Sequence, residues 1–298
     1  MEQVLGKCIN CGGRDLRLKR AYVFQSDAFR KLYPDGGVYD CPSCGLIQAN
    51  AQTIDNDGLT RYYQSAYRSE AGITSNESNA MKTHYAARGQ ALLAAVRVHL
   101  SRPPTRIFEV GAGYGYNLAA FGEAFPDAAL LTDELDLELQ GAMGTKGAQL
   151  EDGPYDIIIM SHVLEHFIDP KTMIARATSA LAEDGVIVIE VPNDEDGISV
   201  ITACDEPHIG FFGGETLAKL LNDTPGLDVQ AQFTAGPNKA ATMKRQKLKR
   251  YLSYISFVFP LVRRLRKGKS GVASQPDYIT PTPGGLFLRA VAKVGSRA

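Results

Sequence analysis

The 298-residue sequence contains no stretch approaching the ~20 apolar residues that a bilayer crossing requires. Its early residues lack the basic start and apolar run of a secretion signal, so the chain reads as cytosolic. Cysteine is scarce: there are five, and only Cys204 stands outside a closely spaced pair. A chain of this length buries a core without disulfides. In a reducing compartment, paired cysteines more often hold metal than bond to each other. No internal repeat is present, which sets aside solenoid and propeller architectures. Acidic residues are absent between Asp228 and Asp277, although the formal net charge of the whole chain is only -1. The composition, 44% hydrophobic and 22% charged, is that of an ordinary globular protein.

What is present falls into three stretches. Residues 1–50 are loop-rich, with hairpin material and no long helical period. Residues 51–104 read as a polar, tyrosine-rich connector followed by a helix over Asn79–Leu100. That helix has an apolar face formed by Ala80, Met81, Tyr85, Ala87, Leu92, Leu93 and Val96, and Pro103 and Pro104 stop it. From residue 105 to 298 the pattern alternates. Strands are expected at Ile107–Val110, Ala128–Thr132, Asp156–Met160, Val186–Val191, Leu227–Phe233 and Leu286–Val294. Helices are expected at Asn117–Phe125, Leu135–Met143, Pro170–Leu181 and Glu215–Leu221. Near-continuous apolar strands alternating with helices indicate an α/β fold, doubly wound around a mostly parallel sheet.

The first stretch carries Cys8-Ile9-Asn10-Cys11-Gly12 and Cys41-Pro42-Ser43-Cys44-Gly45, two copies of one local device. Two intervening residues let both thiolates face one point. The following glycine permits the tight turn that aims backbone N–H groups at sulfur. Cys8, Cys11, Cys41 and Cys44 would complete a tetrahedral zinc site, closed and therefore structural. Redox-active pairs are the alternative, but neither pair opens a helix in a βαβ unit.

The central motif is Phe108-Glu109-Val110-Gly111-Ala112-Gly113-Tyr114-Gly115-Tyr116-Asn117, after a strand and before a helix. Glycines allow positive φ and close backbone approach to a ligand, and a helix N-terminus favours anions. A dinucleotide loop would place its third glycine at position 116, where this chain has Tyr116. The order E-x-G-x-G-x-G resembles instead the first motif of class I S-adenosylmethionine methyltransferases. So do the acids Asp133 and Glu134 after the second strand, the run His162-Val163-Leu164-Glu165-His166 with Asp169-Pro170, and Glu190-Val191-Pro192-Asn193. The resemblance spans roughly residues 80–235. It implies a Rossmann-like fold and an S-adenosylmethionine cofactor. Glu109 would meet the cofactor's amino group, Gly111, Gly113 and Gly115 its backbone cradle, Asp133 or Glu134 its ribose, and His162 its flank. Glu151 and Asp152 are candidates for the adenine.

An N-terminal zinc module on this core is also found in sugar C-methyltransferases. The connector Tyr62-Tyr63-Gln64-Ser65-Ala66-Tyr67 and the run His208-Ile209-Gly210-Phe211-Phe212 resemble theirs, with Pro207 where that family has glutamate and Glu206 one residue earlier. The resemblance makes His166, His208 and Tyr63 the candidates for proton transfer, and a histidine's ordinary pKa near ~6.5 suits that work. His84 and His99, on the preceding helix, read as packing or surface residues. The expected activity is methyl transfer to a hydroxyl or carbon of a sugar, glycan or related small metabolite. RNA methylation and a non-catalytic zinc-ribbon interaction protein are the alternatives.

The acid-free stretch forms a basic insertion over 235–284. Lys239, Lys244, Arg245, Lys247, Lys249, Arg250, Arg263, Arg264, Arg266, Lys267 and Lys269 flank the apolar run 251–262. It reads as a solvated helix, as a contact with an anionic membrane surface that would make the enzyme peripheral to the inner membrane face, or as a nucleic-acid contact. No recognisable RNA-binding module accompanies it.

Overall fold

The computed structural model describes residues 6–65, 79–134, 146–197, 204–246 and 276–295. The expected helix at 135–143, residues 66 and 67 of the connector, and the basic residues from Lys247 to Lys269 lie outside these.

In chain order the elements are β1 (Arg17–Ala21), α1 (Asp27–Leu32), β2 (Gly37–Asp40), β3 (Ile47–Ala49), α2 (Asn56–Ser65), α3 (Asn79–Arg97), β4 (Arg106–Glu109), α4 (Tyr116–Ala124), β5 (Ala129–Thr132), β6 (Lys146–Gly147), β7 (Tyr155–Ser161), α5 (Pro170–Ser179), β8 (Leu181–Pro192), β9 (Gly210–Phe211), α6 (Gly214–Asn222), β10 (Leu227–Asn238) and β11 (Gly285–Val294). The large sheet has seven strands in the order β10-β11-β8-β7-β4-β5-β6. Strands β4 to β8 pair in parallel within it, whereas β11 is antiparallel to both β8 and β10. The chain runs outward in opposite directions from β4 and β7. That reversal opens a crevice beyond the carboxyl ends of the central strands, where such folds bind ligands.

The two faces of the sheet follow from the two-residue period of a strand. Ile107, Ile157, Ile159, Val186, Val188 and Val291 point to one face, under Leu92, Leu93 and Val96 of α3 and Leu118 and Phe121 of α4. Their neighbours Phe108, Ile158, Met160, Ile187, Ile189, Leu288 and Ala290 point to the other, under Met173 and Ile174 of α5 and Leu217 and Leu220 of α6. Both faces are covered, so β7 is buried along its length except at Ser161. Gly89 lets α3 cross α4 closely: a β-carbon there would stand 2.8 Å from the Tyr116 carbonyl oxygen. Asp156 fixes the start of β4, accepting from the Thr105 and Arg106 amides at 2.7 and 3.0 Å. Residues 235–238, expected to open the basic insertion, instead continue β10 to Asn238. Lys239 is also not part of a free basic face, because its ammonium donates to Asp196 at 2.6 Å and to the Asn193 carbonyl at 2.8 Å.

The second sheet, β1-β2-β3-β9, is antiparallel, and residues 1–50 do not close it alone. Its fourth strand is Gly210–Phe211, paired to β3 with Ile47 opposite Phe211. The cysteine-bearing segment is therefore built onto the same stretch of chain that carries His208. Tyr22 donates to the His208 carbonyl at 2.9 Å, Asn10 to the Thr216 carbonyl at 2.9 Å, and Arg20 pairs with Asp205. Glu206 accepts four hydrogen bonds: from the Gln25 amide at 2.8 Å, the Ser26 amide at 2.9 Å, the Ser26 hydroxyl at 2.7 Å and the Tyr62 hydroxyl at 2.7 Å.

Candidate active site

A cavity of about 620 Å³ occupies the crevice. At one end lies the loop between β4 and α4, where Gly111, Gly113 and Gly115 take φ of 58°, 55° and 71°. This is the left-handed region that side chains disfavour, so glycine is required at all three. The turn aims its amides at the end of β5: the Gly111 N–H donates to Asp133 at 2.9 Å and the Gly113 N–H to Glu134 at 2.6 Å. Glu109 ends β4 beneath the loop. One of its carboxylate oxygens accepts from Asn117 at 2.6 Å, and the other is buried with no hydrogen-bond partner. Burial raises the Glu109 pKa to about 8 against the partial opposition of the Asn117 bond. Burial also pushes the Asp133 carboxyl up. An unpartnered buried carboxylate oxygen beside open space fits an incoming ammonium group.

At the other end, Tyr63 of α2 stacks on His166, with ring centroids 5.8 Å apart and planes 15° from parallel. His208 lies 5.3 Å from the His166 ring, with Phe211 edge-on to it at 6.2 Å. Tyr63 and His166 line the cavity, whereas His208 sits one layer behind. Burial is the main reason both imidazoles are held neutral. His208 is lowered to about 3, and His166 falls well below the ordinary histidine value with further help from His208 and His162. Glu165, whose carboxylate lies within 4.8 Å of a ring nitrogen of each of these two histidines, is 1% exposed, and neither carboxylate oxygen has a hydrogen-bond partner among the described residues. Its pKa is raised to about 8, chiefly by burial.

Between the two ends lies an ionic cluster. Glu190, fully buried on β8, pairs with Arg88 of α3 and Arg289 of β11, each at 2.5 Å. Burial alone would raise its pKa, but the two guanidinium groups hold it well below the usual carboxylate value. His162 leans on this cluster with φ of 55°, its Nε2 3.5 Å from Glu190 and its Nδ1 3.6 Å from Glu165. Burial, then Arg88, lowers its pKa to about 4.

The four paired cysteines converge in the small sheet. Cys8 and Cys44 sulfurs stand 3.6 Å apart, Cys11 and Cys41 sulfurs 3.5 Å, and all four lie within 4.8 Å of one another. Bonded sulfurs would be ~2.05 Å apart, whereas sulfurs around one zinc at ~2.3 Å sit close to the spacing seen. The two knuckles repeat one geometry. Gly12 and Gly45 have φ of 75° and 77°, and their amides donate to the Cys8 and Cys41 carbonyls at 2.9 and 2.8 Å.

Of the residues expected at the cofactor, Glu109, Gly111, Gly113, Asp133, Glu134 and His162 line the cavity, and Gly115 caps α4. Glu151 and Asp152 do not line it: Glu151 pairs with Arg176 at 2.5 Å, and Asp152 accepts from the Gln149 amide at 2.8 Å. His84 packs, its Nδ1 2.7 Å from the Tyr278 hydroxyl. Arg88, Glu165 and Glu190 were missed as site residues. Arg88 had a signal, since it falls in the apolar stripe of α3 between Tyr85 and Leu92.

The methyltransferase domain family matches residues 81–232, just over half of the chain. The chain belongs to that family and is an S-adenosylmethionine-dependent methyltransferase of class I fold. No curated protein sequence matches it. Among solved structures it is similar to the plantazolicin methyltransferase BpumL in complex with SAH, with 14% identity, 80% of this chain and 94% of that one covered, and a TM-score of 0.49. It is also similar to magnesium protoporphyrin IX methyltransferase from Synechocystis PCC 6803 with bound SAH, with 13% identity, 81% and 100% covered, and a TM-score of 0.46.

Proposed function

We propose that this enzyme transfers the methyl group of S-adenosylmethionine to a hydroxyl or carbon of a sugar, glycan or related small metabolite. The observation that carries this reading is the meeting of Tyr63 and His166 in the wall of the cavity, with His208 directly behind His166. These are the positions that resemble the proton-transfer residues of sugar C-methyltransferases. Bound cofactor supplies an electrophilic methyl on a sulfonium. The chain's own work is to align the acceptor and manage its proton. Glu109 holds the cofactor's ammonium with its unpartnered oxygen. The loop at Gly111, Gly113 and Gly115 gives it room, Asp133 or Glu134 receives the ribose hydroxyls, and His162 packs at its side. Cys8, Cys11, Cys41 and Cys44 hold a structural zinc ion that fixes the sheet on which His208 is carried. The cationic sequence between Lys244 and Lys269 supports contact with an anionic membrane surface, which would suit a lipid-linked acceptor.

The test is methyl transfer from labelled S-adenosylmethionine into host extract, separated into small-metabolite, lipid-soluble glycan and RNA fractions. Label in either of the first two is expected, and label confined to RNA overturns the acceptor class while leaving the fold and cofactor in place.

A further inference from the structure

We infer that Glu165, His166 and His208 form a second metal site, which holds a divalent transition cation beside His166, the one of the three that lines the cavity. Their ligand atoms all lie within 4.8 Å of one another. The set is two imidazole nitrogens and one carboxylate, which suits Mn²⁺, Fe²⁺, Co²⁺ or Zn²⁺ rather than the hard Mg²⁺ or the soft, thiolate-bound ions.

Three observations beyond proximity point to a cation. Glu165 is 1% exposed, yet both of its oxygens lack a hydrogen-bond partner. The imidazoles beside it do not satisfy it: His166 Nε2 is 3.8 Å away and His162 Nδ1 is 3.6 Å away, both too far for a hydrogen bond. Arg88, the arginine that acts electrostatically on Glu165, is already committed to Glu190. A buried carboxyl group with no hydrogen-bond partner is costly as the carboxylate unless it takes up a proton or a cation comes to it.

The ligands are also held in place. His166 and Glu165 share one tight turn, Leu164–His166. That turn is tied to the segment bearing His208 by the Ile209 amide, which donates to the Glu165 carbonyl at 2.8 Å. Tyr63 stacks on one ring and Phe211 packs on the other. Drawing the three donors onto a cation at ~2.1 Å requires side-chain shifts of only about 1 Å.

The inference deepens the proposed function and rests on it for its purpose: it selects a hydroxyl as the acceptor, and makes His166 and His208 ligands that act on that hydroxyl through the cation instead of taking its proton themselves. A hydroxyl bound to the cation becomes acidic and gives its proton to water. The oxygen then bonds to the methyl carbon as the carbon–sulfur bond breaks, and that electron pair stays on sulfur as a neutral thioether.

The test uses Mn²⁺ as probe and the full-length chain with its tightly held zinc retained. Binding is followed by loss of the free Mn²⁺ electron paramagnetic resonance signal, with spin-echo modulation reporting directly bound nitrogen. S-adenosylhomocysteine calorimetry is run on the same samples. One Mn²⁺ per chain with nitrogen modulation is expected, weakened at least tenfold in Glu165→Gln and in His208→Ala, each still binding S-adenosylhomocysteine. Wild-type chain that binds S-adenosylhomocysteine but takes up no Mn²⁺ at millimolar concentration overturns the metal site and leaves methyl transfer standing. So does Mn²⁺ held without nitrogen modulation. Loss of S-adenosylhomocysteine binding by wild-type chain would strike the proposed function instead.

Discussion

The two ends of the cavity are built in different ways. The glycine-loop end comes from consecutive pieces of one architecture, the ends of β4 and β5 and the start of α4, with Glu109, Gly111, Gly113 and Asn117 inside nine residues. The acceptor end is assembled from Tyr63 on α2, His166 after β7 and His208 before β9. Those pieces are brought together by the cysteine-bearing sheet and by Glu206, whose partners lie 144 to 181 residues away in the sequence. One end is a property of the fold, whereas the other is a property of how an added module docks on it. The two ends should therefore fail independently.

The largest separation is expected from single substitutions at the two ends. His166→Ala should lower turnover on the identified acceptor by about 10²- to 10⁴-fold, the range for a lost proton-transfer or acceptor-activating group. Its S-adenosylhomocysteine affinity should stay within about twofold of wild type. Glu109→Gln should do the reverse to binding, weakening S-adenosylhomocysteine by about 10- to 100-fold as one charge-assisted hydrogen bond is lost. Calorimetry beside steady-state kinetics reads both. Equal loss of cofactor binding in both variants would mean that the cavity acts as one unit.

A smaller effect in the same direction follows from the proposed zinc site. Elemental analysis should find one zinc in wild type and none in Cys41→Ser, and β1 to β3 should loosen in the variant, because only three thiolates remain and the tetrahedron is no longer closed. The disturbance should travel through β9 and the Tyr22–His208 contact to the acceptor end. Turnover should fall by about tenfold or more, with the expected loss set by how far His208 moves. Proteolysis should quicken within residues 6–65 while S-adenosylhomocysteine binding persists. If cofactor binding is lost together with the zinc, the two regions are coupled more tightly than their hydrogen bonds indicate.

The same contrast explains what could be read from the sequence. The parallel strands were legible because Ile107 to Val110, Asp156 to Met160 and Val186 to Val191 are apolar on both faces apart from one acid in each, Glu109, Asp156 and Glu190. The glycine loop was legible because only glycine tolerates its three positive-φ positions. The paired cysteines were legible because their ligand spacing is local. Glu206 was visible only as a departure from a resembling pattern. Its role depends on Gln25, Ser26 and Tyr62, and no periodicity links those residues to it. Arg88 was passed over because a charged residue in an apolar helical stripe signals a buried partner without naming it, and that partner, Glu190, lies 102 residues on. The strand β9, two residues long, carries no periodic signal at all.

The finest test concerns pH. Burial raises the Glu109 pKa to about 8, which favours the protonated acid at neutral pH before the cofactor binds. An ammonium beside its open oxygen favours the carboxylate, so binding should expel the proton. By linkage, S-adenosylhomocysteine affinity should rise as pH increases toward 8, by up to about tenfold per unit, and level off above it. Calorimetry at pH 7 in buffers of differing ionisation enthalpy should show up to one proton released per ligand bound. Glu109→Gln has no carboxyl to ionise, so its weaker affinity should be flat over the same range. A wild-type profile equally flat would mean that Glu109 is ionised before the cofactor binds or does not meet the amino group. A slope that survives in the variant would move the titration to Asp133, the other carboxyl at this end that burial pushes up.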